Sequence, residues 1–270
     1  MQQELQISTG HVADVKAETI MMAPAAGFYT TPELGKNQVR LAYVLCKEDI
    51  QRALMILEKA IIDRKAVTGR YPKAIVPVAL YGMPYQIDKI MAIADKFCIP
   101  VVEDAAEGMG SRFNGQVLGT FGRFGVLSFN GNKMITTSGG GALICRNAED
   151  ANTIMWYATQ ARDAYPYYEH TAIGYNYRMS NVCAGIGRGQ MTVLDAHIAH
   201  HKHVQELYKE LLKGVEGITL HEQPADPRYD SNFWLCAATL DPEVRIKGQE
   251  DAYKEVVKTA VGVLRGSSRQ

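Results

Sequence analysis

Two side chains in this sequence have the types and surroundings that covalent amine chemistry needs. Lys133 lies in the stretch SFNGNKMITTSGGG, between an apolar run and three consecutive glycines. A lysine in such a place can be a solvated turn residue, a phosphate ligand or an amine that bonds to a carbonyl carbon. Asp104 ends the stretch IPVVED, so its carboxylate stands at the carboxyl end of a predicted strand. Open α/β sheets bind their ligands at that end.

Together, an amine and a carboxylate of this kind describe a pyridoxal-phosphate site. The lysine can form an imine with the aldehyde of that cofactor, and the glycines leave room for a planar ring. The aspartate can keep the pyridine nitrogen protonated, which makes the ring an electron sink. Ser128 precedes Lys133 by five residues and can donate its hydroxyl to the phosphate. Spacing alone leaves two alternatives open, an ordinary turn lysine and an aspartate that caps a helix.

The pattern around Asp104 predicts a βαβ unit with a parallel sheet. Residues 74–80 and 99–105 are short apolar runs typical of strands, and residues 86–97 between them have helical periodicity. The runs FGVLSF and GALICR predict further strands. The unit places Asp104 at the edge of the sheet where a ligand is expected.

Longer segments with an apolar face predict helices. Residues 47–65 have apolar side chains at helical spacing and acidic residues in the first turn. Further helices are predicted over residues 148–161, 180–212 and 249–264, and a strand over residues 231–240. We therefore predict an α/β chain.

Composition and charge exclude several classes of protein. With 270 residues that are 47% hydrophobic, the chain can bury a substantial core. Its 29 basic and 29 acidic residues leave no net field for nucleic acid or an anionic membrane. The N-terminus lacks a secretory pattern, and no apolar run reaches the roughly 18 residues of a spanning helix. We expect a cytoplasmic protein that binds neither nucleic acid nor membrane.

Three other features of the sequence are weaker. The stretch HIAHHKHV places His197, His200 and His201 on one helical face, but no carboxylate or cysteine pattern accompanies them, so we expect no metal site. The glycines of GMGSRFNG and GIGRGQM lack the spacing of a dinucleotide-binding loop. The aromatic cluster AYPYYEH can line a sugar pocket or, more simply, an exposed interface loop.

From residue 68 to about residue 258 the chain resembles the DegT-type family of pyridoxal-phosphate-dependent nucleotide-sugar aminotransferases. The resemblance is carried by the motifs VPVALYGMP, VVEDAAEGMGS, LGTFGRFGVLSFNGNKMITTSGGGAL, GYNYRMSNVCAGIGRGQM and YDSNFWL, which occur in that order. It implies a fold type I aminotransferase, a homodimer with its site at the subunit interface. It also implies pyridoxal 5′-phosphate as cofactor, glutamate as amino donor and a keto-sugar nucleotide as acceptor, in amino-sugar or polysaccharide biosynthesis.

The same resemblance assigns roles to five residues. Lys133 matches the catalytic lysine that bonds to the cofactor, and Asp104 matches the aspartate at the pyridinium nitrogen. Glu107 matches a position beside the cofactor and the sugar, and Ser128 matches a phosphate-binding serine. Asn176 matches an asparagine that reaches a cofactor phosphate across the dimer interface. Some relatives have histidine in place of the lysine and act as dehydratases, so the lysine favours transamination here.

The N-terminal segment resembles a different branch of fold type I. Residues 18–66 are similar to the C-terminal end of class I/II amino-acid aminotransferases, in which the arginine matched by Arg40 binds the substrate α-carboxylate through a bidentate pair. A surface arginine on a strand is the alternative. We expect residues 1–66 to form this segment, residues 67–195 a partial cofactor-binding large domain, and residues 196–270 a connecting helix with a truncated small domain.

Two alternative functions follow from this combination. No glycine-threonine loop for the cofactor phosphate precedes Arg70, and the last residues lack the expected strands, so the fold is expected to be incomplete at both ends. The first alternative is therefore a catalytically inactive fragment or a fusion of two aminotransferases. The second is an amino-acid aminotransferase of the aspartate type, which would use Arg40.

Overall fold

A computed structural model describes residues 11–13, 19–24, 39–41 and 47–240, with side chains over residues 52–239. The helices are α1 (Lys47–Thr68), α2 (Ile87–Lys96), α3 (Ala148–Ala158), α4 (Asn181–Met191) and α5 (Leu194–Leu211). The strands are β1 (His11–Ala13), β2 (Thr19–Pro24), β3 (Val39–Leu41), β4 (Val102–Asp104), β5 (Arg112–Phe113), β6 (Gln116–Val117), β7 (Phe124–Ser128), β8 (Gly141–Cys145), β9 (Ile218–Leu220), β10 (Tyr229–Asp230) and β11 (Ala238–Leu240). The α/β class predicted from the sequence is confirmed.

The sheet formed by β4, β7 and β8 carries the predicted site. β4 is parallel to β7, and β7 is antiparallel to β8. On the other edge of β4, residues 74–79 pair in parallel through Ile75 with Val101 and Val78 with Asp104. This ladder is interrupted because Pro77 has no N–H to donate, and a 3-10 helix at Leu80–Gly82 then turns the chain toward α2. The predicted βαβ unit is confirmed, although its first strand is reduced to isolated bridges.

The helices α1 and α2 cover this sheet through a shared apolar cluster. Ile61 of α1 and Ala94 of α2 are buried together with Ile75, Ile99 and Val101. The predicted helix of residues 47–65 is confirmed and extends to Thr68, just beyond the expected boundary at residue 66. A second buried cluster lies toward the carboxyl ends of the strands and consists of Ala79, Tyr85, Ile87, Ala105, Phe113, Leu118 and Tyr229.

The described chain forms three further sheets. β5 lies between β10 and β6, and β9 pairs with β11, in both cases antiparallel. β1, β2 and β3 form an antiparallel sheet in that order. Because β10 pairs with β5, the chain near residue 230 returns to the loops that follow β4.

One predicted helix ends earlier than expected, and another is divided into two. α3 ends at Ala158 because Gln160 and Ala161 adopt positive φ angles of 68° and 49°, which a helix does not allow. The predicted helix over residues 180–212 is divided into α4 and α5 at residues 192–193. α4 begins where the Ser180 hydroxyl accepts a hydrogen bond from the Cys183 N–H at 3.2 Å, an ordinary N-cap.

The prediction of a strand over residues 231–240 is wrong for most of its length. Only Ala238–Leu240 pairs, as β11. At the start of the segment the Ser231 and Asn232 side chains replace ladder bonds with their own hydrogen bonds, and Phe233 has a φ of 47° that breaks an extended conformation. The helix predicted over residues 249–264 lies outside the described residues.

Candidate functional site

The carboxyl ends of β4 and β7 bring two of the predicted site residues to one edge of the sheet. Asp104 is the last residue of β4 and pairs in register with Val126, so Ser128 lies two residues further along the neighbouring strand. The partly buried Asp104 carboxylate accepts a hydrogen bond from the Ala106 N–H at 3.2 Å, and the Ser128 hydroxyl accepts one from the Asn130 N–H at 3.3 Å. Both side chains therefore order the loops that leave the strands.

Lys133 lies in the loop that joins β7 to β8. This loop folds back on itself, since the Phe129 N–H donates to the Gly140 carbonyl and the Thr137 N–H donates to the Phe129 carbonyl. The Lys133 Nζ lies 3.3 Å from Glu107 Oε1. Its side chain is only 13% exposed, so it is not the solvated turn lysine that spacing alone allowed.

Glu107 lies three residues after β4, and each oxygen atom of its carboxylate has a partner. Its Oε1 faces Lys133, and its Oε2 accepts a hydrogen bond from the Tyr81 N–H at 2.7 Å. Tyr81 has a φ of 59° inside the 3-10 turn, which aims its N–H at the carboxylate. The loop after β4 and the turn after residues 74–79 therefore converge on one amine.

Trp234 completes the surroundings of the Lys133 amine. The Nζ lies 4.3 Å from the centroid of the indole ring, within the range of a cation–π contact. The ring is 6% exposed, and its N–H donates to the Asn132 carbonyl at 2.8 Å. The ring is thus tied to the residue that precedes Lys133.

Buried polar side chains bond to the backbone of the loops that carry these contacts. Asn232 donates to the carbonyl oxygens of Glu107 and Met109, each at 2.9 Å. Ser111 donates to the Gly82 carbonyl at 2.6 Å and accepts from the Asn232 N–H at 2.9 Å. Sequence reasoning assigned no role to these residues or to Trp234. Asn232 and Trp234 lie in the stretch YDSNFWL, where polar residues precede an apolar run, and Ser111 ends the stretch VVEDAAEGMGS.

The two remaining predicted site residues lie on other parts of the chain. Asn176 is exposed and bridges to Thr159 beyond the end of α3, and no hydrogen bond among the described residues joins it to Asp104, Ser128 or Lys133. Arg40 lies on β3 with its backbone paired to Ala23, and its side chain is outside the described residues.

A second carboxylate, Glu103, lies next to Asp104 on β4 and is completely buried. Successive residues of a strand point to opposite faces, so Glu103 faces away from Asp104. It accepts hydrogen bonds from the Tyr85 hydroxyl and from three backbone N–H groups, of Gly119, Phe121 and Gly122, at 2.6 to 3.0 Å. Burial, and then the charge of Glu103, raise the pKa of Tyr85 well above its usual range. Glu103 thus fixes the loop that leads into β7.

Two histidines of α5, His197 and His201, are partly buried against the rest of the chain. His197 Nδ1 lies 3.2 Å from the Met134 carbonyl, and burial lowers the pKa of His201. Within residues 52–239, no group of three or more His, Cys, Asp or Glu side chains is arranged to hold a metal ion.

The aromatic stretch of residues 164–170 lies on the surface. Tyr165 and Tyr167 stack with their ring centroids 5.3 Å apart, and Arg162 lies over Tyr168. A shallow groove beside them, of about 540 Å³, is open to solvent.

Among the described helices, none combines the length and apolar character of a membrane span.

The family model for the DegT/DnrJ/EryC1/StrS aminotransferase family matches residues 5–263 of the chain. This match includes residues 18–66, for which the sequence predicted a class I/II resemblance. EpsN of Bacillus subtilis, whose name describes it provisionally as a pyridoxal phosphate-dependent aminotransferase, is 42% identical over 68% of this chain and 47% of its own length. The GDP-perosamine synthase of Escherichia coli O157:H7 is 35% identical over 61% of this chain and 44% of its own length.

The fold is similar to that of solved aminotransferases. A DegT DnrJ EryC1 StrS aminotransferase from Brucella abortus superposes with a TM-score of 0.68 and 24% identity, over 84% of this chain and 58% of the other. The fold is thus that of fold type I aminotransferases, as the resemblance implied. The chain spans about half the length of the curated relatives it matches. A match over nearly the whole sequence places this chain in the DegT/DnrJ/EryC1/StrS aminotransferase family.

Proposed function

We propose that this chain is a pyridoxal-phosphate-dependent aminotransferase that moves an amino group from glutamate to a keto-sugar nucleotide, in amino-sugar or polysaccharide biosynthesis. The observation that carries the proposal is the Lys133 amine, 3.3 Å from the Glu107 carboxylate and on the loop that follows the strand next to Asp104. The similarity to a GDP-perosamine synthase supports the acceptor class, because perosamine is an amino sugar carried on a nucleoside diphosphate.

The residues at this edge of the sheet fit pyridoxal phosphate. They offer an amine for the aldehyde, a carboxylate for the ring nitrogen and a hydroxyl for the phosphate, on Lys133, Asp104 and Ser128. Gly131 and Gly139 flank Lys133, and a Cβ built on either would meet no atom within 4 Å. The loop therefore has open space at these two glycines.

When bound, pyridoxal phosphate supplies an electron sink that stabilises negative charge at the α-carbon of an amino acid. We assign to Asp104 the role of holding the proton on the ring nitrogen, and to Lys133 Nζ the role of moving the proton from the α-carbon of the amino donor. Glu107 Oε1 is placed to stabilise the ammonium group that Nζ becomes. Ser128 binds the phosphate, and Asn176 binds it from the other subunit.

The homodimer that this assignment requires is supported by the exposed surface around α4. Large apolar side chains there lie open to solvent, with Ile173 83% exposed and Tyr177 and Val182 each 75% exposed. Gly185 and Gly189 of α4 face no neighbouring atom of the described chain. We infer that a second copy covers this surface and brings its Asn176 toward the site, in a protein that acts in the cytoplasm.

Turnover tests the proposal directly. The purified chain with pyridoxal phosphate, glutamate and a 4-keto-sugar nucleotide should form the amino-sugar nucleotide and 2-oxoglutarate in equal amounts, and Lys133→Ala should form neither. Cofactor binding without turnover would support the inactive fragment or fusion instead. Turnover with aspartate that is lost in Arg40→Ala would support the amino-acid aminotransferase.

A further inference from the structure

The Lys133 amine contacts two groups that come from distant parts of the chain. One is the carboxylate of Glu107, in the loop after β4, and the other is the ring of Trp234, near the end of the described chain. Neither group is near the other in sequence. The Lys133 amine can contact the carboxylate and the ring together only if the distance between these two groups is fixed. A further contact must therefore fix that distance.

The carboxamide of Asn232 contacts the backbone of both flanking residues. Its Nδ2 donates to the Glu107 carbonyl at 2.9 Å, and its Oδ1 accepts from the Trp234 N–H at 2.8 Å. A second Nδ2 bond to the Met109 carbonyl, also 2.9 Å, fixes the orientation of the amide. The Asn232 side chain thus links the backbone of Glu107 to that of Trp234, the two residues that contact the Lys133 amine.

Only an amide fits this position. It must donate twice and accept once, which the asparagine side chain does and an aspartate or leucine does not. The site is also tight, because Asn232 is 0% exposed and a Cβ built on Gly82 would lie 1.8 Å from its Oδ1. Gly82 has a φ of 86°, which favours glycine for a second reason. The amide is therefore held on every side.

We propose that Asn232 is a positioning residue that holds Glu107 and Trp234 at their distances from the Lys133 amine. Its bearing on catalysis rests on the proposed function, but its effect on the amine exists without cofactor. Loss of the amide removes its bonds to the Glu107 carbonyl and to the Trp234 N–H, whereas the bond of the Trp234 ring to Asn132 remains. The loop after β4 and the segment of Trp234 are then held less firmly to each other, and the Lys133 amine is exposed to solvent more often.

Asn232→Asp tests this proposal, because it keeps the shape and replaces the two donated bonds by repulsion between oxygen atoms. Ser231→Ala is the matched control. Ser231 is the neighbouring residue, is equally buried, and bonds to the Gly82 carbonyl and the Phe233 N–H, neither of which touches Lys133. Each variant is made in a Trp156→Phe background, so that Trp234 is the remaining tryptophan of the two in the sequence.

Two readouts are taken on the cofactor-free protein. The first is the rate of acetylation of Lys133, measured by mass spectrometry against the exposed Lys209 as internal reference. Losing buried hydrogen bonds of this kind shifts a local opening equilibrium about tenfold, so Asn232→Asp should raise the relative rate by about that factor. The second readout is the fluorescence of Trp234. In Asn232→Asp it should change in the same direction as it does in Lys133→Met. Ser231→Ala should leave both readouts at their starting values.

Unchanged readouts in a folded Asn232→Asp variant would overturn the proposal, and so would equal changes in Ser231→Ala. If Asn232→Asp does not fold by circular dichroism, Asn232→Ala carries the same expectations. Unfolding of both, with Ser231→Ala folded, would mean that the amide serves the fold and not the amine, which also overturns the proposal. Failure of the wild-type chain to bind pyridoxal phosphate would contradict the proposed function but leave these cofactor-free results intact.

Discussion

The Nζ of Lys133 lies 3.3 Å from Oε1 of Glu107, and both side chains are largely shielded from water, at 13% and 20% exposed. A charge pair with this little exposure interacts more strongly than a surface pair, because less water screens it. Either partner left alone retains a poorly solvated charge. The free energy of unfolding should therefore depend on the presence of both Lys133 and Glu107.

A double-mutant cycle on Lys133→Met and Glu107→Gln should measure this link. We expect each single variant to be destabilised, and the double variant to be less destabilised than the sum by about 1 kcal/mol. Urea unfolding followed by circular dichroism gives the four free energies. The same cycle on the exposed pair Lys209 and Glu222 is the control and should show a smaller coupling. Equal coupling in the two cycles would contradict the shielding of the Lys133 pair.

Glu103 should contribute more to stability than the Tyr85 hydroxyl that bonds to it. Glu103→Gln turns an amide N–H₂ toward buried N–H donors, so we expect the free energy of unfolding to fall by about 2–4 kcal/mol. Tyr85→Phe removes a single one of the four hydrogen bonds and should cost about 1–2 kcal/mol. Urea denaturation measures both. If the two variants lose the same stability, the three backbone bonds do not contribute as argued.

Stability should fall at alkaline pH because buried acids keep their protons in the folded chain. Burial raises the pKa of the Cys236 thiol from 9.0 to about 11, and burial with the charge of Asp88 raises the pKa of Tyr229 to about 12. Above pH 9 the unfolded chain loses the thiol proton while the folded chain retains it, so protons favour the folded state. The contribution is complete below pH 9 and is lost as the pH rises toward 11.

Unfolding curves in urea between pH 8 and pH 11.5 test this expectation. Cys236→Ala should make the fall between pH 9 and 11 shallower. Cys98→Ala, which removes an exposed thiol, should leave the fall as in the wild type. A parallel decline in all three proteins would show that Cys236 does not contribute.

Helices and strands that follow from a local apolar pattern are predicted correctly from the sequence. The prediction is wrong where side-chain hydrogen bonds take the place of backbone pairing between strands. The period of residues 86–97 predicts α2, and the apolar run before Asp104 predicts β4, because each pattern matches the face the element buries. The apolar run after Ser231 predicts a strand in the same way. That prediction fails because the Asn232 and Ser231 side chains bond to chain segments more than 100 residues away, which no local pattern records.

The candidate site shows the same division. Lys133, Asp104 and Ser128 are found from strand ends, glycines and the family resemblance, and the pairing of β4 with β7 brings their strands together. Trp234 contributes its ring from a segment 101 residues after Lys133, and this contact depends on tertiary packing. Asn176 needs a second subunit to take the role that the resemblance implies, so a single chain cannot place it at the site.

The exposed apolar surface around α4 predicts self-association. Replacing Ile173 and Val182 together by lysine should shift the protein from dimer to monomer, because two charges would be buried in the interface without partners. Sedimentation velocity measures the shift. Val67→Lys, at an apolar residue of α1 that is 70% exposed, is the control and should leave the dimer intact. A monomeric wild-type protein at micromolar concentration would contradict the proposed homodimer.

Covalent mapping of the cofactor tests whether Lys133 is the lysine that bonds to pyridoxal phosphate. The purified chain is mixed with pyridoxal phosphate and reduced with borohydride, which makes a nitrogen–carbon bond between lysine and the aldehyde permanent, and its peptides are analysed by mass spectrometry. We expect the added mass on Lys133 at close to one group per chain, and weaker labelling in Asp104→Asn. Labelling spread over surface lysines, or unchanged in amount after Lys133→Ala, would contradict this role of Lys133.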